Sequence, residues 1–129
     1  ALSLVRGKSN LGSTMVQTVG ESAARLASVQ SCPAGNLEFP LLIGHSVIHF
    51  DDTGALLFAK ASSGVTCFDS TTGIFTTKWK GAFTGGTGAL TNASGSFEAS
   101  SSGKGIVSDR AGHEFDYLTG EFSGTIITP

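Results

Sequence analysis

Between residues 75 and 83 the large apolar side chains Phe75, Trp79 and Phe83 occupy odd positions, while Lys78 and Lys80 take even ones. Successive side chains of an extended chain point to opposite faces, so this spacing predicts a half-buried strand, aromatic on one side and basic on the other. The same period sets Phe97 and Ala99 against Glu98 and Ser100, Phe115 and Tyr117 against Glu114 and Asp116, and Phe122 and Ile126 against Glu121 and Thr125. Further strands are predicted near 13–19, 38–43, 45–50, 55–60, 64–69 and 104–108. The segment ESAARLASVQ, 21–30, fits a short helix or a strand equally well.

Related stretches of seven or eight residues separate these runs: FDDTGAL at 50–56, FDSTTGIF at 68–75, FTGGTGAL at 83–90 and FDYLTGEF at 115–122. Their shared core is Phe, a short polar link, Thr-Gly, one residue and an apolar one. Glycine takes the positive φ that closes a hairpin loop, and Asp51, Asp69 and Asp116 can accept hydrogen bonds from amides further along a turn. Each such stretch therefore predicts a chain reversal. A calcium loop would alternate several carboxylates where these offer one or two. The copies are spaced too irregularly for a solenoid or propeller.

Many short strands joined by tight turns define an all-β fold in one domain, 1–129. About eight antiparallel strands hide their edges most completely by closing into a single β-barrel, with a β-sandwich as the second architecture. A barrel of that size is either filled by its own side chains or holds one small ligand.

Composition agrees with this picture. The chain of 129 residues carries 18 glycines, only 14% charged residues and a formal net charge of −2. It offers neither the basic stripe that a nucleic-acid backbone needs nor a polybasic anchor for an anionic bilayer. Its longest apolar runs fall well short of the ~20 residues of a membrane-spanning helix, so a soluble chain is expected. The first residue is alanine, which implies processing or trimming of a longer chain, and no signal peptide is visible.

Cys32 and Cys67 have no CxxC spacing and no further thiols to complete a zinc site. A disulfide between them is the preferred reading; two buried thiols packed as small hydrophobes is the other. A disulfide would place the protein in an oxidising compartment, secreted or periplasmic.

The stretch GAFTGGTGALTNASGSFEA, 81–99, together with GEFSGTI, 120–126, resembles the allene oxide cyclase and dirigent-like β-barrel superfamily. Within it the chain is most similar to secreted bacterial proteins of unassigned function that carry GGTG, an apolar residue and Ala-x-Gly. Here those are Leu90, Ala93 and Gly95, and the family's usual aromatic after GGTG is replaced by Leu90. The resemblance covers about the last 60 residues. It implies an eight-stranded antiparallel barrel, often a homo-oligomer, that binds or cyclises hydrophobic molecules without metal or organic cofactor. It carries over no catalytic residue.

Other motifs yield to plainer readings. TGGTGAL, 84–90, imitates a dinucleotide fingerprint, but GxGxxG from Gly86 needs glycine where Thr91 stands, and no helical pattern follows. His45 and His49 lie in a strand pattern, about 13 Å apart, too far to share a metal directly. Asn92-Ala93-Ser94 is a glycosylation sequon, meaningful only on a eukaryotic secretory route. His113, Phe115 and Tyr117 fall on one predicted strand face. If that face lines the barrel, they join Phe75, Trp79 and Phe83 as candidate ligand-binding residues, with His113 and Tyr117 able to handle a proton in an apolar setting. The bland alternative is an amphipathic lining whose polar tips reach water.

These readings point to a secreted small β-barrel that binds a small hydrophobic ligand or acts as a scaffold. A cofactor-independent cyclase or isomerase acting on an apolar substrate is the enzymatic rival, and a surface protein-interaction module is the third. No metal and no cofactor are expected. An open lumen would favour binding or catalysis; one plugged by Phe75, Trp79, Phe83 and Phe97 would favour scaffolding.

Overall fold

The computed structural model describes residues 2–23, 31–108 and 114–129, with the backbone alone at 106–108 and 114–117. Among them seven strands follow in order: β1 (Leu2–Ser9), β2 (Gly12–Ser22), β3 (Leu37–Phe50), β4 (Leu56–Asp69), β5 (Ile74–Gly86), β6 (Ser94–Ser108) and β7 (Glu114–Ile127). A 3-10 turn at Gly88–Leu90 joins β5 to β6. Each strand pairs antiparallel with the next, in the order β1-β2-β3-β4-β5-β6-β7. The fold is all-β, one sheet curled into a half-barrel, which excludes the sandwich.

Three of the four related stretches are reversals. At FDSTTGIF, Asp69 Oδ1 accepts the Thr71 N–H at 2.8 Å and its other oxygen accepts the Thr72 hydroxyl at 2.9 Å. The Gly73 N–H then closes onto the Asp69 carbonyl at 2.8 Å, with Gly73 at a φ of 71° that a β-carbon would resist. FDDTGAL closes in the same way, the Gly54 N–H donating to the Phe50 carbonyl at 2.8 Å. FDYLTGEF is the exception. It lies inside β7, which pairs with β6 from Ser94↔Ile127 to Ser108↔Glu114. Pairing with β6, Ser102↔Thr119 and Ser101↔Gly120, carries the chain straight through Thr119-Gly120.

The seven described strands agree with an expectation of about eight, though their boundaries differ from those predicted. Segments 38–43 and 45–50 are one strand, β3, and 55–60 and 64–69 are one strand, β4. Segment 104–108 belongs to β6, while β1, broken in pattern by Arg6-Gly7-Lys8, is a strand that hydrophobic period alone did not mark. What looked like breaks are bulges. The register shifts between Glu21 and Ser22 opposite β3, and between Ala61 and Ser63 opposite β5. Each extra residue reverses which alternate positions face inward.

The bulges divide the concave face in two. At the end carrying the 50–56 turn, Ile48, Phe50, Leu57, Ala59, Phe83 and Phe97 are buried, Leu57 to 1% exposure. Phe122 from β7 completes the cluster, its ring 4.7 Å from that of Phe97 and 6.1 Å from that of Phe83. Beyond the bulges, Leu41 and Trp79 pack on this core, and the remaining inward positions are only partly covered.

Cys32 and Cys67 form a disulfide, with Cα atoms 5.5 Å apart. It fastens the segment before β3 to the convex side of β4. In the chain-entropy model a bridge across a sequence separation of 35 stabilises by about 3–4 kcal/mol. Opposite Cys67 on β3 lies Glu38, only 4% exposed, whose Oε2 has no hydrogen-bond partner among the described residues.

Candidate functional site

Three rows of the sheet cross the concave face beyond the bulges. The outermost runs Leu37, Phe68, Phe75, Gly103, Leu118 across β3 to β7. The next runs Phe39, Thr66, Thr77, Ser101, Gly120, and the third is Leu41, Gly64, Trp79, Ala99, Phe122, with Leu41 and Gly64 set opposite each other by the strands' continuous register. Phe39, Leu41, Phe68, Phe75, Trp79 and Leu118 are all half-buried, unlike their counterparts in the core. They form an apolar trough. Its one polar feature is the middle row, where the Thr66 and Thr77 hydroxyls bond each other at 2.8 Å.

Trp79 sets the boundary between trough and core. A β-carbon on Gly64 would collide with Trp79 Cδ1, and one on Gly20 would stand 3.2 Å from Trp79 Cη2. The indole therefore begins against Gly64 of β4 and extends its six-membered ring to Gly20 of β2, a path open because residue 64 has no side chain. Trp79 packs against the buried cluster on one side and stays partly exposed on the other.

The expected lumen residues divide between these regions. Phe75, Trp79 and Phe83 share one face as alternation required, but Phe83 belongs to the sealed core and the other two to the trough. Phe115 and Tyr117 lie in β7 opposite Val107 and Lys104, and their side chains are outside the described part. His113 lies outside the described residues. Leu37, Phe39, Leu41 and Phe68 were not singled out by the sequence reading. The signal was there: in LEFPLL, Leu37, Phe39 and Leu41 alternate with Glu38 and Pro40.

The convex face is chemically different. A shallow groove of about 540 Å3 there is lined by Lys78, Lys80, Glu98, Ser100, Glu121 and Ser123, among others. Lys80 and Glu98 meet at 2.9 Å, both largely exposed. Trp79 also borders it, but the groove's side chains are mostly charged or hydroxyl-bearing, and the two lysines and two glutamates offset one another. His49 Nδ1 lies 3.2 Å from Asp51 Oδ1. His45, paired with Lys60, is exposed.

Fold and site together define a small antiparallel half-barrel with a sealed aromatic core continued by a half-open apolar trough. No family model, curated protein or solved structure matches the chain.

Proposed function

We propose that the protein binds a small hydrophobic molecule in the trough formed by Phe39, Leu41, Phe68, Phe75, Trp79 and Leu118. The observation that carries this reading is the contrast in cover along one face. Alternation continues apolar beyond the core, yet the side chains there remain half-buried, leaving surface that a ligand would remove from water at roughly 25 cal/mol per Å2. Binding fits the site better than catalysis. Thr66 and Thr77 bond each other, and neither hydroxyl is an effective acid or base near neutral pH. Binding of an apolar molecule is also what the resemblance to the allene oxide cyclase and dirigent-like barrels implies. The Cys32–Cys67 bridge supports an oxidising setting, secreted or periplasmic.

Trp79 is the only tryptophan, so it reports on its own neighbourhood. Titration with the neutral fluorophore N-phenyl-1-naphthylamine should give saturable energy transfer from Trp79. Phe75→Ala and Phe68→Ala should each weaken binding about tenfold, roughly the effect of losing 1.4 kcal/mol of contact, whereas Lys78→Ala on the convex face should leave it unchanged. Absence of saturable transfer, or equal affinity in all four proteins, would discard the proposal.

A further inference from the structure

The two edges of the sheet differ in how they are protected. Edge strands commonly resist pairing with other chains by being short and by carrying lysine or proline. β1 has eight residues and bears Arg6 and Lys8. β7 has fourteen and contains no lysine, arginine or proline. Among the described residues its only partner is β6, so one long row of backbone donors and acceptors is left open.

The sequence of that edge is nearly symmetric about Phe122. Leu118-Thr119-Gly120-Glu121-Phe122-Ser123-Gly124-Thr125-Ile126 matches its own reversal, Leu with Ile, Thr with Thr, Gly with Gly, and Glu with Ser. Such symmetry is what a two-fold interface demands, because the same patch must complement itself. Only an antiparallel pairing of two β7 edges lets concave face continue into concave face. It places residues directly opposite each other in a register centred on one residue.

We infer that β7 is a dimerisation edge: two copies of this chain pair through β7, antiparallel, with the two-fold axis at Phe122. In this register Leu118 faces the partner's Ile126 and Phe122 faces the partner's Phe122, all on the concave side. Thr119 faces the partner's Thr125, and Glu121 faces the partner's Ser123, on the convex side. No like charges stand opposite each other, although the acidic residues of β7 are Glu114, Asp116 and Glu121. Moving the centre to Glu121 would set that carboxylate against its own copy and Phe122 against Gly120. The apolar rows of both troughs then meet at the joint, and the pair forms one sheet of twice the strand number.

The test uses the whole chain, oxidised. Sedimentation velocity should show a species of twice the 13.1 kDa chain mass. The double variant Thr119→Glu, Thr125→Glu sets like charges opposite each other twice and should weaken the dimer by roughly tenfold or more. Thr119→Lys, Thr125→Glu sets opposite charges there and should restore or exceed the original affinity. Both positions pair within the chain with serines, Ser102 and Ser96, so neither variant disturbs an internal charge. Phe122→Cys, on the axis, should cross-link into a disulfide dimer, while Thr125→Cys, whose copies would lie about 20 Å apart, should not. Should Phe122→Cys fold poorly, the two charge variants carry the test alone. A monomer at all concentrations, or a dimer indifferent to the sign of charge at 119 and 125, would overturn the inference.

Discussion

The two ends of the concave face are built from the same residue types in the same alternation, yet one is sealed and the other is half open. At the sealed end the rings of Phe83, Phe97 and Phe122 lie within 6.1 Å of one another, Phe97 and Phe122 stacked, in a cluster with Ile48 and Leu57. At the other end Phe39, Phe68, Phe75 and Leu118 lie in rows with glycines and hydroxyls between them, and none is fully buried. The difference arises at the bulges beside Ser22 and Ser62. An extra residue there changes which alternate positions of β3 and β4 face inward and bends the bulged strand, and the inward side chains beyond it are only half-buried. Alternation decides which face is apolar; curvature decides whether that face is covered.

Paired truncations should expose this difference most strongly. Phe97→Ala removes a fully packed ring and should cost about 3–5 kcal/mol of unfolding free energy. Phe75→Ala, the same change in the trough, should cost about 1 kcal/mol, since much of that ring is already in contact with water. Chemical denaturation of the two variants reads both values, and equal losses would erase the division of the face.

A smaller effect is expected at the boundary. Gly64→Ala places a methyl group against the Trp79 ring and should cost about 1–3 kcal/mol as the indole is displaced. Trp79 emission should shift to longer wavelength in that variant, and unchanged emission would show that the ring does not rest on β4.

The smallest effect concerns the turn at the trough's rim. The Thr71 N–H, and next the Thr72 hydroxyl, hold the Asp69 carboxyl below its ordinary value of 3.8. Because folding lowers this value, its stabilisation is complete above the ordinary value and is lost as pH falls through the lower, folded one. Asp69→Asn should therefore lower the melting temperature slightly at neutral pH and hardly at all in strong acid. A variant with an unchanged difference from pH 7 to pH 2 would contradict the role given to this carboxylate.

Much of the fold was legible in the residues. Period two placed Phe75, Trp79 and Phe83 on one face and Lys78 and Lys80 on the other, and the Asp and Thr-Gly chemistry marked three reversals. What misled was glycine. Gly44, left between two expected strands, lies inside one long strand where it admits Leu41, and Thr119-Gly120 runs straight because β6 pairs along its whole length. Bulges are nearly silent in sequence, since one inserted residue changes no composition and only inverts the phase of the pattern. For that reason alternation found the aromatic face but not the line where it divides into core and trough. Leu37, Phe39 and Leu41 repeat with period two around Pro40, a residue that argues against an interior strand, and so their alignment with Phe68 and Phe75 emerges only from the register.

The division of the concave face can be tested directly by nuclear Overhauser contacts between bound N-phenyl-1-naphthylamine and the protein's aromatic protons. Contacts to Phe68, Phe75 and Trp79, with none to Phe83 or Phe97, are the predicted result. Contacts confined to the convex side, or equally strong ones to Phe83 and Phe97, would contradict a closed core continued by an open trough.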